Sequence, residues 1–117
     1  MCKNAYLIWK NTYILTYKIK STYFAEWLAI SKVFTALGDE HRQRILLTFE
    51  PGERLNVGQV VEVSTLSRTA VSHHLRVLRE AGVLSSQKQG KEVYFWINKD
   101  FLLDALETVV GHIRSNV

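Results

Sequence analysis

One stretch of this chain leaves little freedom in how it folds: residues 67–82, which read SRTAVSHHLRVLREAG. Val71, Leu75 and Leu78 stand at i, i+4 and i+7, the spacing of one face of an α-helix. Ser67 is a preferred N-cap residue, and Gly82 is the residue type that most often ends a helix. The stretch therefore predicts a capped amphipathic helix whose apolar stripe packs on a core.

The opposite side of this helix is polar from its first turn. A helix that enters the major groove of DNA presents its first turns to base edges, where arginine bonds guanine and short polar side chains make further contacts. Ser67 and the first-turn amides are predicted to meet phosphate. A solvated polar face is the alternative, because many surface helices carry two or three arginines. The candidate base contacts are Arg68, Thr69, Ser72, His73 and Arg76.

The order of elements around this helix favours DNA binding. A short helix over about 57–63 and a turn at 64–66 precede it, which predicts a helix-turn-helix. After it, residues 83–89 and 93–97 have strand composition and flank a turn at Gly90-Lys91, which predicts a β-hairpin, or wing. Three residues at the tip of the wing are predicted to reach the DNA backbone or minor groove: Lys88, Gln89 and Lys91.

The flanking segments predict three more helices and an extension. Helix 1 runs from about Ser21, with Phe24, Leu28 and Phe34 on one face, to Gly38. Asp39 caps helix 2, whose stripe of Ile45, Leu46 and Phe49 ends at Pro51-Gly52. Asn98 caps helix 5, whose apolar stripe is wider than one partner helix usually covers. We therefore expect helices 1 and 5 to pack together across a dimer interface.

Residues 1–20 are predicted to form an N-terminal extension of uncertain structure, and residues 21–117 a DNA-binding and dimerisation domain. Alternation at Tyr13, Leu15, Tyr17 and Ile19 favours a strand in the extension, paired with residues 6–9. At 117 residues, with 47% apolar residues, the chain suits a single small core.

The charge of the chain is local. Its net charge is +4, but four of its 15 basic residues precede Glu26, and the remaining 11 are balanced by 11 acidic ones. Between Arg68 and Lys91, five basic residues stand against Glu80 alone. This cluster on the helix and wing, rather than the net charge, indicates nucleic acid.

Cysteine and hydropathy narrow the class further. The single cysteine, Cys2, excludes a disulfide within the chain and suits a reducing cytoplasm; a redox role would need a Cys2 bridge between subunits. No uncharged apolar run approaches the roughly 18 to 20 residues of a membrane helix. There is no phosphate-binding glycine loop, activated nucleophile or carboxylate pair of the kind enzymes use, so we predict neither an enzyme nor a cofactor.

Three strings together, FTALGDEHRQRIL, SRTAVSHHLRVLREAGVL and GKEVYFWI, resemble the ArsR/SmtB family of small dimeric winged-helix repressors. The resemblance extends over about residues 21–113. It implies a mainly α fold with a small β-hairpin in the order α1-α2-α3-α4-wing-α5, and a homodimer formed through α1 and α5. It also implies a two-fold symmetric, double-stranded DNA operator, and repression relieved by an effector that the sequence does not name.

The chain departs from the family's metal-sensing patterns. Where arsenic and cadmium sensors carry Cys-Val-Cys, it has Asn56, Val57 and Gly58, which offer no thiolate. At the helix 5 zinc positions only one residue of four is a ligand type, and a lone His112 near a helix end is typical of a surface residue. The four aligned positions are Lys99, Phe101, His112 and Ser115. We predict that the usual metal sites are absent.

The other histidines are also interpreted structurally. Asp39 and His41 are typical of a cap and a solvated helix start, and His74, beside Leu75, is interpreted as a packed residue. The sequence thus predicts a cytoplasmic, sequence-specific DNA-binding transcriptional regulator that acts as a homodimeric repressor. The alternative is a winged helix used as a protein-interaction or dimerisation module without sequence-specific DNA binding.

Overall fold

The structure, a computed structural model, describes residues 21–116 of the chain. The chain divides into two units between Ile30 and Ser31, whose described parts are residues 21–30 and 31–116. The strand pairing predicted for the N-terminal extension, and Cys2, lie outside the described residues. The elements are α1 (Ser21–Leu37), α2 (Glu40–Leu47), β1 (Leu55–Asn56), α3 (Val57–Glu62), α4 (Arg68–Glu80), β2 (Leu84–Gln89), β3 (Glu92–Ile97) and α5 (Lys99–Asn116).

This order confirms the predicted mainly α, winged-helix fold. The described part of the chain has five helices and one small antiparallel sheet, in the strand order β1-β3-β2. Strands β2 and β3 form the predicted hairpin, from the pair Leu84 and Ile97 to the pair Gln89 and Glu92. Strand β1 was not predicted. Its two residues, Leu55 and Asn56, pair with β3 and are too few to show a strand pattern.

The core of the second unit lies beneath α4. Val71, Leu75 and Leu78 are 0% exposed, as the i, i+4, i+7 spacing predicts. Other buried side chains come from every neighbouring helix and from the hairpin: Val33, Ile45, Val60, Val83, Leu84, Phe95 and Ala105. Burying one leucine or valine contributes about 1.5 to 3 kcal/mol, so the α4 stripe is a large share of the stability of a small domain.

Side-chain caps set the starts of three helices. The Asp39 carboxylate accepts from the Arg42 amide at 3.1 Å, and the Ser67 hydroxyl accepts from the Ala70 amide at 3.2 Å, as predicted. Helix α3 begins with a capping box that was not predicted, in which Asn56 and Gln59 each bond the other's backbone amide at 2.9 Å. For Asn98 before α5, the backbone carbonyl accepts from the Leu102 amide at 3.0 Å.

The prediction that Pro51-Gly52 ends α2 is wrong by a few residues. The helix ends at Leu47, and Thr48 caps it, with its hydroxyl donating to the Ile45 carbonyl at 2.6 Å. Pro51 and Gly52 instead form the centre of a turn closed by the Glu53 amide and the Glu50 carbonyl at 2.9 Å. Gly52 has φ +74°, which suits the third position of such a turn.

The apolar stripes on α1 and α5 are largely exposed in the single chain. On α1, Phe34 is 45% exposed, whereas Val33 and Ala36 are buried. On α5 only Ala105 is buried, and Val110 and Ile113 are 44% and 52% exposed. Several large apolar side chains left exposed on the same helices are typical of a surface that another protein covers.

Gly82, which ends α4, is a position where only glycine fits. Its φ is +85°, and a Cβ there would lie 2.7 Å from the Phe101 ring.

We expect Gly82→Ala to lower the free energy of unfolding by about 1 to 3 kcal/mol, because both the backbone and the ring must shift. Urea denaturation at fixed protein concentration measures this. The control is Gly111→Ala within α5, where a Cβ meets nothing within 4 Å; this variant should be neutral or stabilised by up to about 1 kcal/mol. Equal losses of stability at both positions would contradict the conclusion that position 82 requires glycine.

Candidate nucleic-acid interface

Helix α4 separates its apolar and polar residues onto opposite sides. The buried stripe of Val71, Leu75 and Leu78 holds one side against the core, so the other side faces solvent. Arg68, Thr69, Ser72, His73 and Arg76 are all exposed, and together they line one shallow depression on that side. The five residues predicted as base contacts therefore form a single surface, which we call the reading face.

The side chains and the N-terminus of the reading face are available for contacts with polar or anionic groups. Arg76 Nη2 lies 3.4 Å from His73 Nδ1, a long contact that leaves the guanidinium free to turn outward. The first turn of α4 carries no acidic residue, and its N-terminus begins the reading face. The amides and the helix dipole therefore favour an anion at this end, which a phosphate group satisfies.

The wing presents the other predicted contacts. Lys88, Gln89 and Lys91 are exposed on either side of Gly90, whose φ of +63° allows the tight turn. The register pairs Lys88 with Val93 and Gln89 with Glu92, so both residues lie in the last two pairs of the ladder before the turn. The wing tip is therefore a basic hairpin on a hydrogen-bonded base.

An arginine that sequence reasoning did not single out braces the wing. The Arg54 guanidinium lies 3.9 Å from the centre of the Trp96 ring and donates to Gln87 Oε1 at 3.3 Å. It thus spans β3 and β2 from the loop before β1. A cation–π contact at an exposed site contributes about 0.5 to 1 kcal/mol, which stiffens the hairpin modestly.

A second missed residue, Arg42, connects three helices. Its Nε donates to the Ala36 carbonyl at 2.7 Å and its Nη2 to the Thr35 carbonyl at 3.3 Å, both at the end of α1. Its Nη1 contacts His74 Nδ1 on α4 at 3.2 Å. Gln43 donates to the Leu37 carbonyl at 2.6 Å, so two α2 side chains satisfy the last carbonyls of α1. An arginine three residues after a helix cap gives no sequence signal of these distant partners.

Burial and charge act on two titratable groups beside Arg42. The Arg42 amide holds the pKa of Asp39 below its usual value, because the hydrogen bond favours the carboxylate. Desolvation lowers the pKa of His74, and the Arg42 charge adds to this effect, although Asp39 opposes it. His74 is half-buried, as its interpretation as a packed residue required, and His41 is exposed at the start of α2.

The positions aligned with metal sites have other surroundings. Asn56 caps α3, and Val57 and Gly58 form its first turn. His112 is exposed near the end of α5, where the side-chain amide of Asn116 donates to the backbone carbonyl of His112 at 3.1 Å. Across residues 21–116, no three histidine, cysteine, aspartate or glutamate side chains are placed to hold a metal ion.

The helices were also compared with the length and hydropathy of membrane spans. Within the described range, none combines the length and the apolar character that crossing a bilayer requires.

Comparisons with known proteins agree on one family. Residues 39–86 match the model of the bacterial regulatory proteins of the arsR family. The transcriptional repressor SdpR of Bacillus subtilis is 30% identical over 86 residues, which cover 74% of this chain and 94% of that repressor. The cadmium resistance regulatory protein CadC homolog of Staphylococcus aureus is 32% identical over 74% of this chain and 71% of its own length.

A solved structure has the same fold at lower sequence identity. It is the homodimeric winged helix-turn-helix DNA-binding domain of a Mycobacterium bovis protein described as a possible ArsR-family regulator. The two share 19% identity with a TM-score of 0.64, over 84% of this chain and 91% of that one. Together with the matches above, this shows that the chain belongs to the arsR family, whose members are winged-helix transcriptional regulators and not enzymes.

Proposed function

We propose that this protein is a cytoplasmic repressor that reads a specific operator in double-stranded DNA through the reading face of α4. Arg68 and Arg76 would bond base edges in the major groove, while Thr69, Ser72 and His73 would make shorter polar contacts. Ser67 and the first-turn amides would bind phosphate, and Lys88, Gln89 and Lys91 would contact the adjacent backbone or minor groove.

One observation supports this proposal above the others. The five candidate base contacts line one exposed depression, directly opposite three side chains that are 0% exposed. A solvated helix needs no such grouping, whereas a groove-reading helix needs its polar side chains together and its orientation fixed. The absence of acids from the first turn also suits an approach to DNA phosphate.

We further propose that the protein acts as a homodimer through α1 and α5 on a two-fold symmetric operator. The apolar residues left exposed on these helices, among them Phe34, Val110 and Ile113, supply a surface for a second copy. The homodimeric Mycobacterium bovis domain with the same fold supports this arrangement. Two copies would place two α4 helices in successive major grooves, so operator half-sites are expected about one helical turn apart.

Footprinting on the DNA upstream of the protein's own gene is the direct test. We expect protection of a short inverted repeat at physiological salt, which a scrambled competitor duplex removes only when it is present in large excess. Uniform binding to any duplex would instead indicate an interaction module whose basic face is merely solvated. Repeating the footprint with a panel of metals and oxidants then searches for the effector.

Substitutions on α4 test the proposed base contacts. Arg68→Ala and Arg76→Ala should each weaken operator binding by about 1 to 3 kcal/mol and relax the base preference at one position in each half-site. Fluorescence anisotropy with operator and single-base variants measures both effects. The matched control is Arg44→Ala on α2, an exposed arginine outside the reading face. An unchanged operator affinity in both α4 variants would contradict the assigned reading face.

The wing should behave differently. Lys88→Ala and Lys91→Ala should weaken binding to operator and random DNA alike, because phosphate contacts carry no sequence information. Each substitution should reduce the slope of log affinity against log salt by about 1. Titrations at several salt concentrations measure the slope. A selective loss of operator binding would show that these lysines touch bases instead.

The dimer surface gives a third test. Phe34→Asp should raise the dimer dissociation constant by at least about thirtyfold, because an unpaired carboxylate buried between subunits costs about 2 kcal/mol or more. Sedimentation equilibrium measures this constant. Leu47→Asp is the control, since Leu47 on α2 is 85% exposed and lies outside α1 and α5. Equal dissociation in both variants, or none in Phe34→Asp, would place the interface elsewhere.

A further inference from the structure

The Arg42 side chain is only 13% exposed, and its three nitrogens are all engaged. Two of them donate to the Ala36 and Thr35 carbonyls, which end α1. The third reaches His74 on α4, the helix that carries the reading face. Within residues 24–116, this is the single hydrogen bond that joins a side chain on α2 to a side chain on α4. Arg42 thus ties the position of α4 to the end of α1.

This contact fixes the protonation state of His74. A guanidinium only donates hydrogen bonds, so His74 Nδ1 must accept the 3.2 Å bond and carries no proton. Adding a proton would remove the acceptor and set two cations at that distance. The contact is therefore compatible with neutral histidine only.

The charges around His74 decide how easily it takes a proton. From α2 and its N-cap it faces Asp39, which favours protonation, and Arg42 and His41, which oppose it. From α4 it faces His73, which also opposes it. The ring centres of His41 and His73 lie 5.9 and 5.6 Å from that of His74. The end of α1 contributes backbone carbonyls, which bind Arg42 rather than the imidazole.

We propose that Arg42 and His74 together position α4 for operator reading, and that protonation of His74 releases this link and weakens operator recognition as the pH falls. This inference rests on the proposed function. Neither residue belongs to the reading face: His74 is half-buried and Arg42 lies on another helix. They are positioning residues, which act through the orientation of α4.

The sign of the pH effect follows from the folded state. Since burial lowers the pKa of His74, the unfolded chain takes up its proton first, near the ordinary value of about 6.5. The contribution of neutral His74 is complete above that pH and is lost as the pH falls through its lowered pKa. Operator reading and the stability of the fold should both decline in this direction.

The test compares the wild type with His74→Asn from about pH 8 to pH 5.5. The Asn Oδ1 atom lies close to the position of Nδ1 and accepts a hydrogen bond, but it does not titrate in this range. Anisotropy is measured on operator and on scrambled DNA, and the ratio of the two affinities cancels the general attraction between cations and DNA. We expect the wild-type ratio to fall by up to about tenfold per pH unit, and the His74→Asn ratio to stay level.

Three further variants separate this link from its neighbours. Arg42→Met should lower the ratio at pH 8 and flatten its pH dependence, because the cation that conflicts with protonated His74 is gone. Arg44→Met, a matched change at an exposed arginine of α2, should keep the wild-type profile. His41→Asn should also keep it. If the pH profile flattens in His41→Asn but not in His74→Asn, His41 is the residue that titrates, and the proposal is overturned.

Two failures remain distinguishable. If the wild type prefers its operator at pH 8, but its affinity ratio is independent of pH or falls equally in His74→Asn, this inference is wrong and the proposed function stands. If the wild type shows no operator preference at any pH, the proposed function fails and the inference falls with it. Urea unfolding of the same proteins gives a DNA-free readout, in which acidification should destabilise the wild type more than His74→Asn.

Discussion

The orientation of the reading face depends on three buried apolar side chains on the opposite side of α4. Val71, Leu75 and Leu78 are fully buried beneath α4, and they fix how that helix is rotated about its axis. Successive helix positions differ by about 100°, so a small rotation would carry Arg68 or Arg76 away from a groove. Burial of the stripe therefore sets the orientation on which the proposed base contacts at the opposite side depend. Ser67 fixes where the helix begins and Gly82 fixes where it ends, but the apolar stripe fixes which side of the helix faces outward.

Polar contacts supply a second constraint that apolar packing cannot. The last carbonyls of a helix lack amide partners within it, and Arg42 and Gln43 of α2 donate to three of those at the end of α1, one of which also accepts from the Gly38 amide. Because Arg42 also bonds His74, the same side chain that caps α1 sets a distance between α2 and α4. Hydrogen bonds are directional and need one protonation state, whereas van der Waals contacts tolerate sliding. A link of this kind holds α4 more exactly than packing alone, and it makes the position of α4 sensitive to a proton.

Sequence reasoning predicted the elements whose physical cause is local and missed those whose cause is distant. Helix α4, its cap at Ser67 and the hairpin around Gly90 follow from spacing and turn chemistry within a few residues. Strand β1 and the Arg54 brace depend on partners about 30 to 40 residues away, which no local pattern records. The grouping of the reading-face residues was predictable because one helix carries all five of them. The Arg42 link was not, because its partners come from two other helices.

The distribution of charge bears on how recognition would work. Beyond the first 25 residues the chain has no net charge, so the domain has little general attraction for DNA, and five basic residues concentrate on α4 and the wing. The phosphate contacts that we propose are few, which predicts weak non-specific binding and a shallow salt dependence. Discrimination then rests on groove contacts, which require α4 to be held in one orientation. Specificity is the difference between the affinities for operator and for random DNA. A modest charge keeps the affinity for random DNA low, and a rigidly positioned helix favours the operator, so both would increase specificity.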